Sequence, residues 1–152
     1  MAAAVVVAVI LVRMFLYGGE DAIRCLLRQL AAAAEQKNVD EVMEPFSTEF
    51  TEPDYGLNYV FLRGLVTHGF QTWDDISVTM DVREIAIQGR EATAQVRVSA
   101  SARSAGGGER VSVSREPGTV YLERSYGDWK IVGARAGTPE TWEDLVPPEL
   151  RQ

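Results

Sequence analysis

The chain is poor in the residues that build covalent or metal-centred chemistry. Its 152 residues include one cysteine, Cys25, and one histidine, His68. A single thiol excludes an internal disulfide and a cysteine-ligated zinc site, and says nothing of the redox compartment. A single imidazole excludes a histidine-rich metal centre. Any Ser-His-Asp triad would have to pass through His68, which no nucleophile-elbow pattern accompanies. No metal and no cofactor is expected. Excess positive charge is also missing. Fifteen Lys and Arg face 22 Asp and Glu, for a net charge of -7 and a pI near 4.8. Such a surface repels phosphate backbones, which argues against nucleic acid as a partner. The acids are dispersed apart from small groups such as Glu140, Glu143 and Asp144, and read as a solvated surface. Internal repeats are lacking too. What remains, 46% hydrophobic and 24% charged residues, is the make-up of one ordinary globular domain.

One long hydrophobic run is present. Residues 2–17 are apolar except for Arg13. Sixteen helical residues span about 24 Å, short of the roughly 30 Å of a bilayer core, and Arg13 lies near the end where it can snorkel. The segment reads as an uncleaved single-pass anchor. A cleaved signal peptide is the rival reading, weakened by the missing basic n-region and by Leu16 and Tyr17 before Gly19. A soluble core helix is the third, although no polar face exists between Ala2 and Val12. Arg13, Arg24 and Arg28 follow the run and nothing basic precedes it, which by the positive-inside rule keeps the domain cytoplasmic. Basic residues upstream of a misassigned start would reverse that, so the periplasmic or extracytoplasmic side stays open. The chain thus divides into a hydrophobic segment, 1–19, a domain, 20–137, and a tail, 138–152.

Beyond Gly18-Gly19 the period is helical. Ile23, Leu26, Leu27, Leu30, Ala31 and Ala34 form one apolar stripe, predicting an amphipathic helix that ends near Asn38. Asp40 is placed to cap a short second helix, Glu41 to Phe46. Pro53, Asp54 and Gly56 mark a turn, and a third helix is predicted from Leu57 to His68, stopped by Gly69. After Thr72 the period becomes two. Ile76, Val78, Met80 and Val82 alternate with polar residues, Gln88-Gly89-Arg90 turns the chain, and Ala92, Ala94, Val96, Val98 and Ala100 alternate again. Strand pattern returns from Arg110 to Tyr126, interrupted at Pro117-Gly118, and from Trp129 to Arg135. The tail carries Pro139, Pro147 and Pro148 and one short helical turn around Trp142. Helices followed by an antiparallel meander mean an α+β fold with the helices on one face of the sheet.

The segments EDAIRCLLRQLAAAAEQKNVDEVMEPFSTEF, GLNYVFLRGLVTHGF, ISVTMDVREIAIQGREATAQVRVSA and TVYLERSYGDWKIVGARA together resemble the nuclear transport factor 2-like, or SnoaL-like, superfamily. The Asn-Val-Asp-Glu-Val-Met junction, the Gly-Arg-Glu-Ala-Thr-Ala hairpin and the closing Gly-Asp-Trp-Lys-Ile-Val carry most of the likeness, which covers residues 20–136. The resemblance implies a cone-shaped α+β fold in which three N-terminal helices pack on a curved antiparallel sheet of four or more strands. Its members include isomerases, dehydratases, epoxide hydrolases, polyketide cyclases, and transport and assembly factors, so it fixes no activity.

Ketosteroid-isomerase-like members carry a general-base Asp just before a Pro, and the matching place here is Thr51-Glu52-Pro53-Asp54-Tyr55. Glu52 is then the candidate base, with Asp54 beside it, because a carboxylate in an apolar pocket can titrate in a useful range. The bland reading has Asp54 capping the third helix and Glu52 facing water. The tyrosine-plus-acid oxyanion pair of that chemistry has no counterpart at Tyr17, Tyr55, Tyr59, Tyr121 or Tyr126. Asp81, with Arg83, Arg97 and Arg124, suggests either a polar network inside the cone or cross-strand ion pairs on the outer face. His68 is a further catalytic candidate, read first as a charge that complements the dipole at a helix end, and Cys25 reads as a semi-buried spectator. Phe61, Tyr121 and Trp129 are pocket-lining candidates.

No complete catalytic constellation is present. The favoured expectation is therefore a non-catalytic ligand-binding or protein-interaction domain tethered to a membrane through residues 2–17, with a small hydrophobic ligand. The alternatives are a SnoaL-like isomerase or hydro-lyase acting on a small hydrophobic substrate, and a homodimeric assembly module built on the Ala92 to Ala100 alternation.

Overall fold

The computed structural model describes residues 3–8, 19–53, 55–114 and 117–135. Residues 3–8 are helical and exposed. The rest of the hydrophobic segment, Asp54 and the tail from residue 136 lie outside the described residues. Among the described residues no helix is long and apolar enough to cross a membrane.

Helix α1, Glu20–Glu35, begins with two acids that suit the positive end of its dipole. Its stripe buries Ile23, Leu27, Leu30 and Ala33, and Leu26 and Ala34 pack beside them. The helix lies along one edge of the sheet. Arg24 Nη1 donates to the Val82 carbonyl at 3.2 Å, and Glu35 Oε1 accepts from the Val78 N–H at 2.9 Å. Helix α2 is Val39–Met43, and its cap is Asn38 rather than Asp40: Asn38 Oδ1 accepts from Glu41 N–H at 3.2 Å. Asp40 sits inside the first turn.

Two strands then precede the third helix, against the expectation that helices come first. Strand β1, Phe46–Glu52, takes up residues predicted as helix end and loop. Strand β2, Leu57–Asn58, pairs with it antiparallel. Helix α3 is Tyr59–Thr72, starting two residues later than predicted and running through Gly69. Asn58 caps it by accepting from Phe61 N–H at 2.8 Å, the role expected of Asp54. Gly69 does not end it, because the chain leaves helical geometry only where Trp73 enters the sheet.

The long strands β3, Trp73–Gln88, and β4, Glu91–Ser104, form a hairpin whose turn uses Gly89 at φ 61. β5, Arg110–Ser114, pairs with the outer half of β4; β6, Gly118–Ser125, pairs with its inner half. The predicted interruption at Pro117-Gly118 is where the two part. β7, Asp128–Arg135, closes the meander against β6. The sheet has seven strands in the order β2-β1-β7-β6-β4-β3, with β5 on β4. It is mixed rather than antiparallel throughout, because β1 runs parallel to β7.

Alternation sets the faces. Ala92, Ala94 and Val96 of β4 face the helices and are buried, together with Leu122, Trp129 and Ile131. They form one core with the α1 stripe, Met43, Phe50 and Leu57. Each buried Leu, Ile or Phe contributes roughly 1.5–3 kcal/mol, so this cluster holds the helices on the sheet. The Ala and Val alternation is thereby used for the core at Ala92, Ala94 and Val96.

Candidate functional site

The inner face does not end where the core does. β4 carries no bulge, so Val98, Ala100 and Ala102 continue the row of Ala92, Ala94 and Val96. Met80 and Val78 on β3 sit opposite Val98 and Ala100. Val113 and Val111 on β5 sit opposite Ala100 and Ala102. This outer half of the face is apolar, yet Val98 is 40% and Val111 48% exposed. The opposite face of the same strands is polar, with Thr79, Ser99 and Ser114 in one row and Ser77, Ser101 and Ser112 in the next.

α3 bridges this open end. Its start is held by β2 through Asn58, and its end by the Ala105 N–H, which donates to the Thr72 carbonyl at 2.8 Å. The helix is rich in apolar residues, but none is fully buried. Leu62, Leu65, Val66 and Phe70 pack partly against the core, while Val60 and Phe61 are exposed. The result is an open apolar surface, the mouth, on the outer half of β3, β4 and β5 at the end of the sheet that α3 reaches.

Glu52 is buried on the inner face too, but on β1, three strands from β4 in the sheet order. It shares the inward parity of Phe50 on β1 and is 1% exposed. It lies one step beyond the Thr51–Gly133 pair, at the level of Ala134, Val120 and Ala94. The expectation that Glu52 faces water is therefore overturned. Its Oε2 accepts the Tyr55 N–H at 2.8 Å, which ties the carboxylate into the turn that follows Pro53. That bond helps the buried carboxylate to be tolerated there.

The other described sequence candidates lie on other elements than β1. Asp54 lies outside the described residues. Asp81 is on the outer face, its side chain 59% exposed, with Arg83 Nε at 3.4 Å. It faces Arg97 in register, whose Nε is buried with no partner among the described residues. His68 lies one turn inside α3; Thr72 Oγ1 donates to its carbonyl at 2.9 Å and is 3.4 Å from its Nε2. Since the helix continues to Thr72, His68 is not the terminal residue. Cys25 is exposed rather than semi-buried. Of the lining candidates, Phe61 is exposed in the first turn of α3, next to β2. Trp129 is buried in the core with the Arg124 guanidinium 5.9 Å from its ring centroid. Tyr121 lies over Gly133, whose absent Cβ would meet Thr51 O at 3.2 Å and Tyr121 Cδ2 at 3.6 Å. Neither Trp129 nor Tyr121 reaches the mouth. Among the described residues no group of His, Cys, Asp or Glu is arranged to hold a metal ion.

A second concavity was not anticipated. It is an open groove of about 730 Å³ between α2, the start of α3, β1 and the β6–β7 end. Two ion pairs cross it: Arg63 with Asp40, and Lys130 with Glu44. The hydrogen bond from Arg63 to the Asp40 carboxylate pushes the guanidinium above its ordinary range. Lys130 Nζ also donates to the Glu44 carbonyl at 2.7 Å. Both cations are engaged, so the groove has no free positive group from these two, and Tyr126 stands fully exposed at its edge. The sequence carried no signal for it, because its pairs join residues 23 and 86 positions apart.

No family model and no curated protein matches the sequence. Solved structures do. A nuclear transport factor 2-like superfamily protein from Salmonella enterica superposes with a TM-score of 0.64 at 14% identity, covering 78% of this chain and 89% of that one. A scytalone dehydratase-like protein from Novosphingobium aromaticivorans gives 0.64 at 15%, covering 78% and 83%. A ketosteroid isomerase-like protein from Erwinia carotovora gives 0.61 at 12%, covering 74% and 89%. The chain therefore has the fold of the nuclear transport factor 2-like superfamily, as the resemblance of its segments implied.

Proposed function

We propose that this domain holds a small apolar ligand without chemically changing it, at the mouth on the outer half of β3, β4 and β5. The observation that carries the reading is the continued apolar row: Val98 and Val111 face the helix side and stay 40% and 48% exposed. Apolar side chains on the helix side of a sheet are ordinarily covered. Asp81, the other strand carboxylate singled out by the sequence, lies on the outer face of the sheet, whereas Glu52 faces inward. Residues 2–17 supply the membrane tether in this reading.

The test is a titration of the full chain with an environment-sensitive apolar fluorophore such as anilinonaphthalene sulfonate. Val98→Asp places a charge at a site already in partial contact with water, so the fold survives. It is expected to weaken probe binding at least tenfold, and equal binding by both chains removes the proposal.

One observation favours an isomerase or hydro-lyase as the second reading. Glu52 is buried directly before a proline, at the place where the likeness to ketosteroid-isomerase-like members puts the base. Under that reading Glu52→Gln abolishes turnover while leaving ligand binding in place.

A further inference from the structure

The groove between α2, the start of α3, β1 and the β6–β7 end has no part in the apolar ligand proposed above. At about 730 Å³ it lies within the roughly 300–1,000 Å³ of small-molecule sites. Five carboxylates line it, those of Asp40, Glu44, Glu49, Glu123 and Asp128, against two cations, Arg63 and Lys130. Arg63 is taken by Asp40 and Lys130 by Glu44. Glu123 faces Lys130 in register, yet the Lys130 ammonium turns to Glu44 instead. Glu49, Glu123 and Asp128 are thus left without an ion-pair partner among the described residues.

Apolar surface lies between these charges. Met43, Phe46 and Val132 supply it, and two tyrosines, Tyr59 and Tyr126, join the lining. Tyr126 is fully exposed. With Gly127 it makes the two-residue turn of the β6–β7 hairpin, at φ 53 and 87. Turns of this kind favour asparagine or glycine, because both positions fall in the left-handed region. In this chain an exposed ring takes that strained position, at the edge of the groove.

The lining selects the occupant. Its unpaired carboxylates repel anions. It does not suit a single metal ion, since among the described residues no group of His, Cys, Asp or Glu is arranged to hold one. Separated carboxylates with apolar surface between them match ammonium groups separated by methylenes, and the face of a tyrosine ring attracts an ammonium. We infer that the groove binds a linear aliphatic polyamine, with its ammonium groups on Glu123 and Asp128 and against the ring of Tyr126. The site is separate from the mouth and stands whether or not the mouth holds a ligand.

The experiment titrates the full chain with spermidine by calorimetry. Saturable binding to one site is expected. The Glu123→Gln, Asp128→Asn double variant is expected to bind at least tenfold more weakly; both side chains are exposed, so the fold is kept. The Glu84→Gln, Glu109→Gln double variant removes the same charge at exposed positions outside the groove, and is expected to bind as the wild type does. Tyr126→Asn suits the turn and removes the ring, for an expected loss of several-fold. Equal weakening in the two double variants overturns the inference, because binding then reports net charge alone. Binding that Glu123→Gln, Asp128→Asn leaves unchanged overturns it too, as does the absence of saturable binding. Magnesium at the same concentration is expected to displace spermidine poorly; displacement as complete as by unlabelled spermidine means a diffuse ion atmosphere and removes the site.

Discussion

Glu52 is the residue on which the two functional readings divide. A carboxylate at 1% exposure survives folding only if its oxygens are satisfied, and the Tyr55 N–H satisfies one of them. Glu52→Leu is close in size and removes the acceptor, leaving the Tyr55 N–H to find another. The expected cost is about 1–3 kcal/mol, measured as a lower midpoint in urea or heat. Glu52→Gln keeps an oxygen for that bond and is expected to cost less than Glu52→Leu. A structural role predicts this order of stabilities together with unchanged probe binding. A catalytic role predicts that Glu52→Gln is nearly as stable as the wild type yet inactive. The sequence showed Glu52 just before a proline, but its burial was not readable there. Whether a residue just before a turn points in or out depends on its parity with Phe50, and that parity exists only once β1 is known to be a strand.

At the scale of elements, the hairpin of β3 and β4 and the stripe of α1 were legible, because each repeats its period over many residues. Ile23, Leu27 and Leu30 recur at helical spacing, and Ala92, Ala94 and Val96 at strand spacing, and all are buried. β1 was not legible. Its longer partner is β7, more than 80 positions later, and its local partner β2 is only two residues long, so little local pattern announces it. Its register also shifts between Phe46 and Thr51, which breaks the alternation, and its inward positions include a glutamate. The caps were misassigned by short distances. Asp40 and Asp54 were favoured, whereas Asn38 and Asn58 accept the first-turn N–H groups. Asn58→Ala tests the second. It removes the acceptor for Phe61 N–H and is expected to destabilise the domain by about 0.5–2 kcal/mol in a denaturation experiment. Gly133 tests the parallel seam. A valine there has to fit where Thr51 O already stands 3.2 Å from the built Cβ and Tyr121 packs behind it. Gly133→Val is expected to cost about 1–3 kcal/mol, more than the same change at an exposed strand position.

The whole molecule has two ends with different characters, and the hydrophobic segment joins one of them. Gly19 precedes α1, and a Cβ built on it lies 3.8 Å from Ile87 Cδ1. The segment therefore enters the domain beside the β3–β4 turn. The mouth is at the other end of the same hairpin: Val98 pairs with Met80, seven residues along β3 from Ile87, which is about 23 Å at 3.3 Å per residue. If residues 2–17 are the tether proposed above, the turn end is held near the bilayer and the mouth is held away from it, open to the aqueous side. Two predictions follow from that geometry. The full chain is expected to sediment with membranes and to resist extraction by alkaline carbonate; recovery in the soluble fraction removes the tether. In vesicles, single thiols can then compare the two ends. In a Cys25→Ser background, Ile87→Cys is expected to react with a bulky impermeant maleimide several-fold more slowly than in detergent, because the bilayer shields the turn. Val98→Cys is expected to show a much smaller change between the two conditions. A larger slowing at position 98 than at 87 would place the mouth against the membrane. A ligand would then enter from the lipid rather than from water.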